Sequence, residues 1–420
     1  MQFSFAALTA VCGLALHVGA TLTAAQTYTI REIPTLRTDG TGISGAEGIS
    51  PNGTVIGFAS VDGSSAYHAY SLAPNGTLFD LGFFGSSSFN SLATAINASG
   101  QITGSATTQS GGFGTAFRGT AGVSIGANLD ELPSGGDSVA YAINSAGVIV
   151  GWSNRSIGCG GPFCINNPGF AVVWTGNSPS QLPALGTAGA LATGINDAGI
   201  VCGNSSVGAN PDQHAFRTLL GAGIADDLGT LGGPRSTASA INDAGTIVGS
   251  ADMPSGMEIA AIWSAGSSTA LSLGTIPGRP ASVANALNNN GVAVGSARLA
   301  NTASPRAVLF PVGAPAIDLN GLIPADSGWI LETALDVNDS GQIVGRGTRA
   351  GQARGFVLTL VPTCSVDFDG NGLADPDDVA DFITAYFSEA PPAACDFNGD
   401  GLIDPDDLAD FITEFFNMPC

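Results

Sequence analysis

The sequence predicts a mainly β protein: a seven-bladed β-propeller of four-stranded blades, followed by a small α-helical domain. Three observations carry this expectation. One hairpin corner recurs seven times at near-constant spacing, alanine and glycine columns run in phase with it, and the composition turns sharply acidic from residue 364. A period of 40–50 residues with several short strands per unit is the signature of a propeller.

The corner is clearest at residues 241–250, Ile-Asn-Asp-Ala-Gly-Thr-Ile-Val-Gly-Ser. Asn at the first position of a type I turn can hydrogen-bond its own backbone two residues on, and Gly at the fourth tolerates left-handed geometry. The turn glycine recurs as Gly53, Gly100, Gly147, Gly199, Gly245, Gly291 and Gly341, at spacings of 47, 47, 52, 46, 46 and 50. A second glycine follows each by four residues, from Gly57 to Gly345. The turn opens with Asn in every copy but the first, which has Ser50. Four residues before it stands alanine: Ala46, Ala93, Ala140, Ala192, Ala238, Ala284 and Ala334. Fixed small residues suit places where backbones approach closely.

Each unit should supply four strands. In the fifth these are residues 227–231, 236–241, 246–250 and 259–263. The first strand of the chain, residues 28–33, either belongs to blade one or closes the ring by completing blade seven. This run resembles the extracellular repeats called HAF, after a His-Ala-Phe signature that stands intact at 214–216 and nearly so at 68–70. The resemblance covers roughly residues 28–360 and implies architecture more than activity.

Composition bounds the function. Gly is abundant, charged residues are scarce, and the net charge is −22. Residues 364–420 hold twelve Asp, two Glu and no basic residue, leaving −8 for the remainder. No basic patch exists to neutralise phosphates, so nucleic acid is excluded as a partner. The chain has no lysine, which excludes Schiff-base chemistry and phosphate loops that need it. Residues 1–25 read as a secretory signal peptide, apolar and then small, cleaved after Ala20 or Ala25. An uncleaved anchor is the alternative; a lipoprotein reading at Cys12 fails for want of a lipobox. Export makes disulfides expected. Cys159 and Cys164 flank the loop in the stretched third unit and are expected to staple it. Cys202 sits in a column of Ile and Val and reads as a buried thiol.

The tail repeats a calcium-loop pattern 29 residues apart. Oxygen ligands would come from Asp367, Asp369, Asn371, Asp375 and Asp378, and from Asp396, Asn398, Asp400, Asp404 and Asp407. Leu373 and Leu402 would each add a backbone carbonyl, making two calcium ions. A helix should follow each loop, with Pro376 or Pro405 at its first position. Loop-plus-helix pairs without entering helices resemble a dockerin of the cysteine-flanked bacterial type, covering residues 364–420. The resemblance implies a cohesin-like or cell-surface partner, and a Cys364–Cys420 bridge with Cys395 as the rival. It departs from the cellulose-complex pattern at Pro376-Asp377 and Pro405-Asp406. The domain boundaries are therefore 1–25, 26–361 and 362–420.

Catalysis is not expected. His68 and His214 occupy equivalent places in different blades, and each reads as a local strand residue. Gly122-Val-Ser-Ile-Gly126 lacks the strand–turn–helix context of a hydrolase elbow. Glu47 reads as a solvated rim residue, and Asp197, Asp243 and Asp339 as turn formers. The expected function is a secreted, monomeric binding or scaffold protein, with a glycan or protein ligand on the propeller and a calcium-dependent anchoring tail. A carbohydrate-active propeller enzyme is the alternative, and a purely structural surface protein is a third reading.

Overall fold

The computed structural model describes residues 27–361 except 85–88, 108–113, 134–135, 155–168, 209 and 300–303. In the tail it describes 368, 376–388, 391, 395, 397 and 403–417. The Cys159–Cys164 and Cys364–Cys420 pairings, and the leader, lie outside the described residues.

Seven antiparallel four-stranded sheets form the propeller. The fifth blade shows the plan: Ser236–Ile241 innermost, then Ile247–Asp252, Glu258–Trp263, and Leu271–Gly274 outermost. The stretch 227–231, expected as that blade's first strand, is instead displaced by one blade. Asp226–Asp227 pairs with Asn210–Leu219 as the outer strand of blade four, and Leu228 is buried between blades four and five. Ring closure is settled too. Tyr28–Glu32 pairs antiparallel with Gln352–Leu360, in register from Tyr28 with Leu360 to Glu32 with Phe356, and so completes blade seven. Joining the first and last strands of the repeat region in one sheet leaves no separate edge where the ring could open.

A hydrophobic cluster lies between every pair of neighbouring blades, including seven and one, where Ile33, Val344 and Val357 meet Ala46, Val55 and Tyr70. The drift of the third-strand signature has a packing reason. In blades one, two, four and seven the aromatic column holds Tyr70, Phe117, Phe216 and Phe356, all fully buried. Blades three, five and six put Val172, Ala261 and Val308 there. They place Trp174, Trp263 and Phe310 two residues later, on the same face of the strand. Volume is thus exchanged between adjacent sites, which a close-packed interior requires. The two indoles also find carbonyls, Trp174 on Asp130 at 2.9 Å and Trp263 on Leu228 at 2.7 Å.

The second glycine column works within each blade rather than between sheets. Every innermost strand carries a β-bulge at the residue after the alanine, as at Ala238/Ala240. The bulge turns a carbonyl of the inner strand onto the glycine Cα. A Cβ there would stand 1.9–2.1 Å from that carbonyl oxygen in all seven blades, from Gly249 against Thr237 to Gly345 against Thr333. Backbone cannot yield as a flexible side chain can.

In the tail, α1 (Pro376–Tyr386) and α2 (Pro405–Asn417) begin at the expected prolines. Phe382 and Phe411 are fully buried and stack at 3.9 Å between centroids.

Gly249→Val should lower stability by about 1–3 kcal/mol through overpacking and backbone displacement. Urea unfolding of the full chain checks it, and an unchanged midpoint would contradict the close approach.

Candidate functional site

The innermost strands line a central channel whose two ends differ in chemistry. At the turn end, seven aliphatic side chains (Ile49, Ile96, Ile143, Ile195, Ile241, Leu287 and Val337) form a collar above the hairpin corners, around a cavity of about 330 Å³. All seven turn glycines have positive φ, from 76° to 82°, as the sequence requires.

The turn asparagines do more than close their own turns. Each Oδ1 accepts the N–H of the residue four further on, as Thr246 to Asn242 at 3.0 Å. Each Nδ2 donates to the carbonyl of the equivalent residue in the next blade. Asn97 reaches Asn144 at 2.9 Å, Asn144 reaches Asn196 at 3.3 Å, and Asn196 reaches Asn242 at 3.1 Å. Asn242 then reaches Asn288 at 3.2 Å, Asn288 reaches Asn338 at 3.0 Å, and Asn338 reaches Ser50 at 3.2 Å. These amides form a girdle of six links. Ser50 spends its hydroxyl on its own turn and is too short to span to blade two.

The Asp residues of the turns likewise tie blades together. Asp197 accepts Ser145 N–H at 2.9 Å, Asp243 accepts Asp197 N–H at 3.2 Å, and Asp339 accepts Asn289 N–H at 2.8 Å. They are turn residues whose carboxylates rim the channel.

The opposite mouth is wider, about 530 Å³, and is lined by the bulged residues Glu47, Thr94, Tyr141, Thr193, Ser239, Asn285 and Leu335. Because the bulge re-aims one side chain per blade, this column points inward. Three of these residues also bridge blades: Thr94 donates to Ala140 O at 2.7 Å, Thr193 to Ala238 O at 2.9 Å, and Asn285 to Ala334 O at 2.8 Å. Glu47 is not the solvated rim residue its isolation in sequence suggested. Its side chain is 13% exposed and accepts from Arg346 Nε at 2.6 Å, while that guanidinium lies over Phe58 at 4.9 Å. Burial raises the Glu47 carboxyl above its usual range, and Arg346 opposes the shift.

Two further groups are perturbed. Asp336 stands where the other blades have Gly or Ala, and its carboxylate accepts Ile49 N–H at 2.9 Å and Val337 N–H at 2.9 Å. Enclosure in the channel wall pushes its pKa up to about 6 against those two hydrogen bonds. Cys202 is a free, fully buried thiol, as expected, and burial pushes it up to about 12.

The two histidines stand on third strands, outside the channel lining, and are equivalent, each paired through Nδ1 with a carboxylate of the outer strand. His68 meets Asp80 at 2.9 Å and His214 meets Asp227 at 2.9 Å. The His and the Asp-Leu-Gly that follows it 12 or 13 residues later therefore form one unit. The string Gly122–Gly126 contributes to a turn and the outer strand of blade two, Val123–Asn128.

Of the expected metal ligands, the structure describes Asp378, Asp404 and Asp407. Asp378 and Asp407 are fully buried near the starts of α1 and α2, and Asp404 N–H donates to Asp407 Oδ2 at 2.8 Å. Asp367, Asp369, Asn371, Leu373, Asp375, Asp396, Asn398, Asp400 and Leu402 lie outside the described residues.

No protein-family pattern and no curated protein sequence matches the chain. Solved structures give distant likenesses. TolB from Acinetobacter baumannii is 12% identical with a TM-score of 0.38, over 70% of this chain and 60% of that one. Putative TolB from Agrobacterium tumefaciens is 13% identical with a TM-score of 0.38, over 81% of this chain and 100% of that one. A puromycin-hydrolyzing peptidase of Mycobacterium tuberculosis is 11% identical with a TM-score of 0.46, over 79% of this chain and 53% of that one. This chain spans less than two thirds of the first and third proteins.

The girdle and the perturbed carboxylate each give a stability test. Ser50→Asn supplies the seventh amide link and should raise stability by about 0.5–1.5 kcal/mol, the net worth of one hydrogen bond. A carboxyl whose folded pKa is raised costs stability above that pKa, and the cost disappears as pH falls toward its unfolded value. Asp336→Asn keeps an acceptor for Ile49 and should therefore gain about 1–3 kcal/mol over the wild type at pH 8. The gain should vanish near pH 4, where both side chains are neutral. Denaturant melts at the two pH values measure it, and a difference independent of pH would refute the assignment.

Proposed function

We propose that this is a secreted, non-catalytic binding protein whose propeller recognises a ligand at its wider mouth and whose tail is a calcium-dependent, dockerin-like anchor. The observation that carries the first half is the state of the charges at that mouth, where Glu47 lies, and in the cavity beside it, where Asp252 and Glu258 lie. Glu47, Asp252 and Glu258 are each engaged by an arginine (Arg346, Arg235 and Arg298) before any ligand arrives. Such pairs present donors and acceptors fixed in place, so a polar ligand meets a surface that needs little ordering. Carboxylates already paired with arginines in this way favour recognition over acid–base chemistry here.

The anchoring half rests on the tail. Asp378 and Asp407 are buried in a segment with no basic residue, and every side-chain donor of the repeated loops is oxygen. That donor set fits a hard cation such as calcium. When bound, the ions would neutralise the loop carboxylates, and Asp378 and Asp407 would hold them from the helix starts. Phe387 and Phe416, equivalent residues 29 apart, are 72% and 80% exposed. An exposed aromatic just past the end of α1 and its equivalent in the last turn of α2 suit a partner surface, cohesin-like or on a cell.

Two measurements test the proposal. Calorimetry on the chelator-treated full chain should find about two calcium ions bound. Asp367→Ala with Asp396→Ala should abolish both, and either alone should leave one. Probing glycan and peptide arrays with the full chain should give a ligand that Arg346→Ala weakens and chelation leaves alone. Turnover of the bound glycan would instead establish the carbohydrate-active alternative.

A further inference from the structure

Beside the wide mouth, over blade five, lies a second cavity of about 370 Å³ that shares Thr237 with it. Its lining is almost wholly polar, with Ala251 the one apolar contributor among the described residues. Two carboxylates form the floor. The Asp252 side chain is 5% exposed and takes Arg235 Nε at 3.0 Å. Glu258 is 29% exposed, accepts from Ser250 Oγ at 2.8 Å, and is paired through its other oxygen with Arg298. Thr237 and Ser250 hydroxyls meet at 2.8 Å, which joins the inner strand of blade five to this network. The network continues through Glu258 to Arg298, at the end of a blade-six strand.

Exposure separates the signs of charge. The arginine side chains are 62% and 52% exposed, so their guanidinium groups stand outermost above Asp252 and Glu258, with Asp212 also close enough to act on Arg235. Each guanidinium carries five N–H donors on a planar fork, and the carboxylate below fixes its orientation through one nitrogen. The remaining donors suit a carboxylate arriving from outside, held bidentately. The hydroxyls of Ser236, Thr237 and Ser250 and the amide of Gln213 suit ring hydroxyls, and among the described residues no aromatic or large aliphatic wall invites an apolar side chain.

We propose that this pocket binds one uronic-acid residue of an acidic polysaccharide, with the glycan continuing across Thr237 into the channel mouth. The inference rests on the recognition role argued above and names its ligand class. In a chain of net charge −22, attraction for a polyanion must be local to these arginines, so binding weakens as salt rises.

The test is calorimetric titration of the full chain with galacturonate, glucuronate and mannuronate trisaccharides, their methyl esters, and a neutral hexose trisaccharide. At least one uronate should bind, and its ester and the neutral sugar should bind at least tenfold more weakly. Arg235→Gln and Arg298→Gln should each lose tenfold or more while melting like the wild type. Equal binding of acid and ester, variants that melt normally and bind fully, or no uronate binding at millimolar concentration would overturn the proposal. If the variants do not fold, the acid-to-ester ratio on the native protein still decides. A different array ligand at the wide mouth, with uronates inert, would sink this inference alone. An array with no ligand would sink the recognition role as well.

Discussion

The structure depends on one close approach: the carbonyl of each innermost strand lies against the Cα of a glycine in the second strand. Where a Cβ would sit 2 Å or so from that oxygen, only glycine is possible. The approach is the price of the bulge, and the bulge is what turns one residue per blade into the channel. The same inner strand brings its turn asparagine within reach of the next blade, so six amides convert seven separate sheets into a ring. Packing between blades then fills the space that this geometry leaves.

That architecture explains where function can reside. The turn end is committed to structure, since its Asn and Asp side chains are used between blades. The opposite mouth is different. Its bulged column varies from Glu47 to Leu335 while the alanine immediately before each bulge stays fixed, so chemistry there can change without disturbing the ring. Ion pairs gather on the same side: Arg346 with Glu47, Arg298 with Glu258, Arg235 with Asp252, and Arg349 and Arg354 with Glu32.

Much of this was legible in the sequence. The glycine, alanine and asparagine columns gave the blade count, because a repeated turn and a repeated close approach demand the same residues each time. What was hidden was whatever joins residues distant in the chain. Arg346 and Glu47 are 299 positions apart, so nothing local marks Glu47 as half of a pair. The asparagine read as a turn former because its second hydrogen bond leaves the repeat altogether. The exchange of Phe216 for Val172 with Trp174 looked like decay of a motif, since volume is conserved across two columns rather than one. Strand phase was misplaced at residues 227–231 because a two-residue outer strand carries almost no periodicity. The calcium loops remain a reading of spacing and donor type.

The central claim is that the wide mouth, rather than the turn end, is the recognition surface. Hydrogen–deuterium exchange of the full chain with and without its array-identified ligand tests it most directly. Protection should fall on segments 235–239, 250–258 and 346–349, with the turns at 50–54, 97–101 and 242–246 unchanged. Protection confined to those turns would contradict the account.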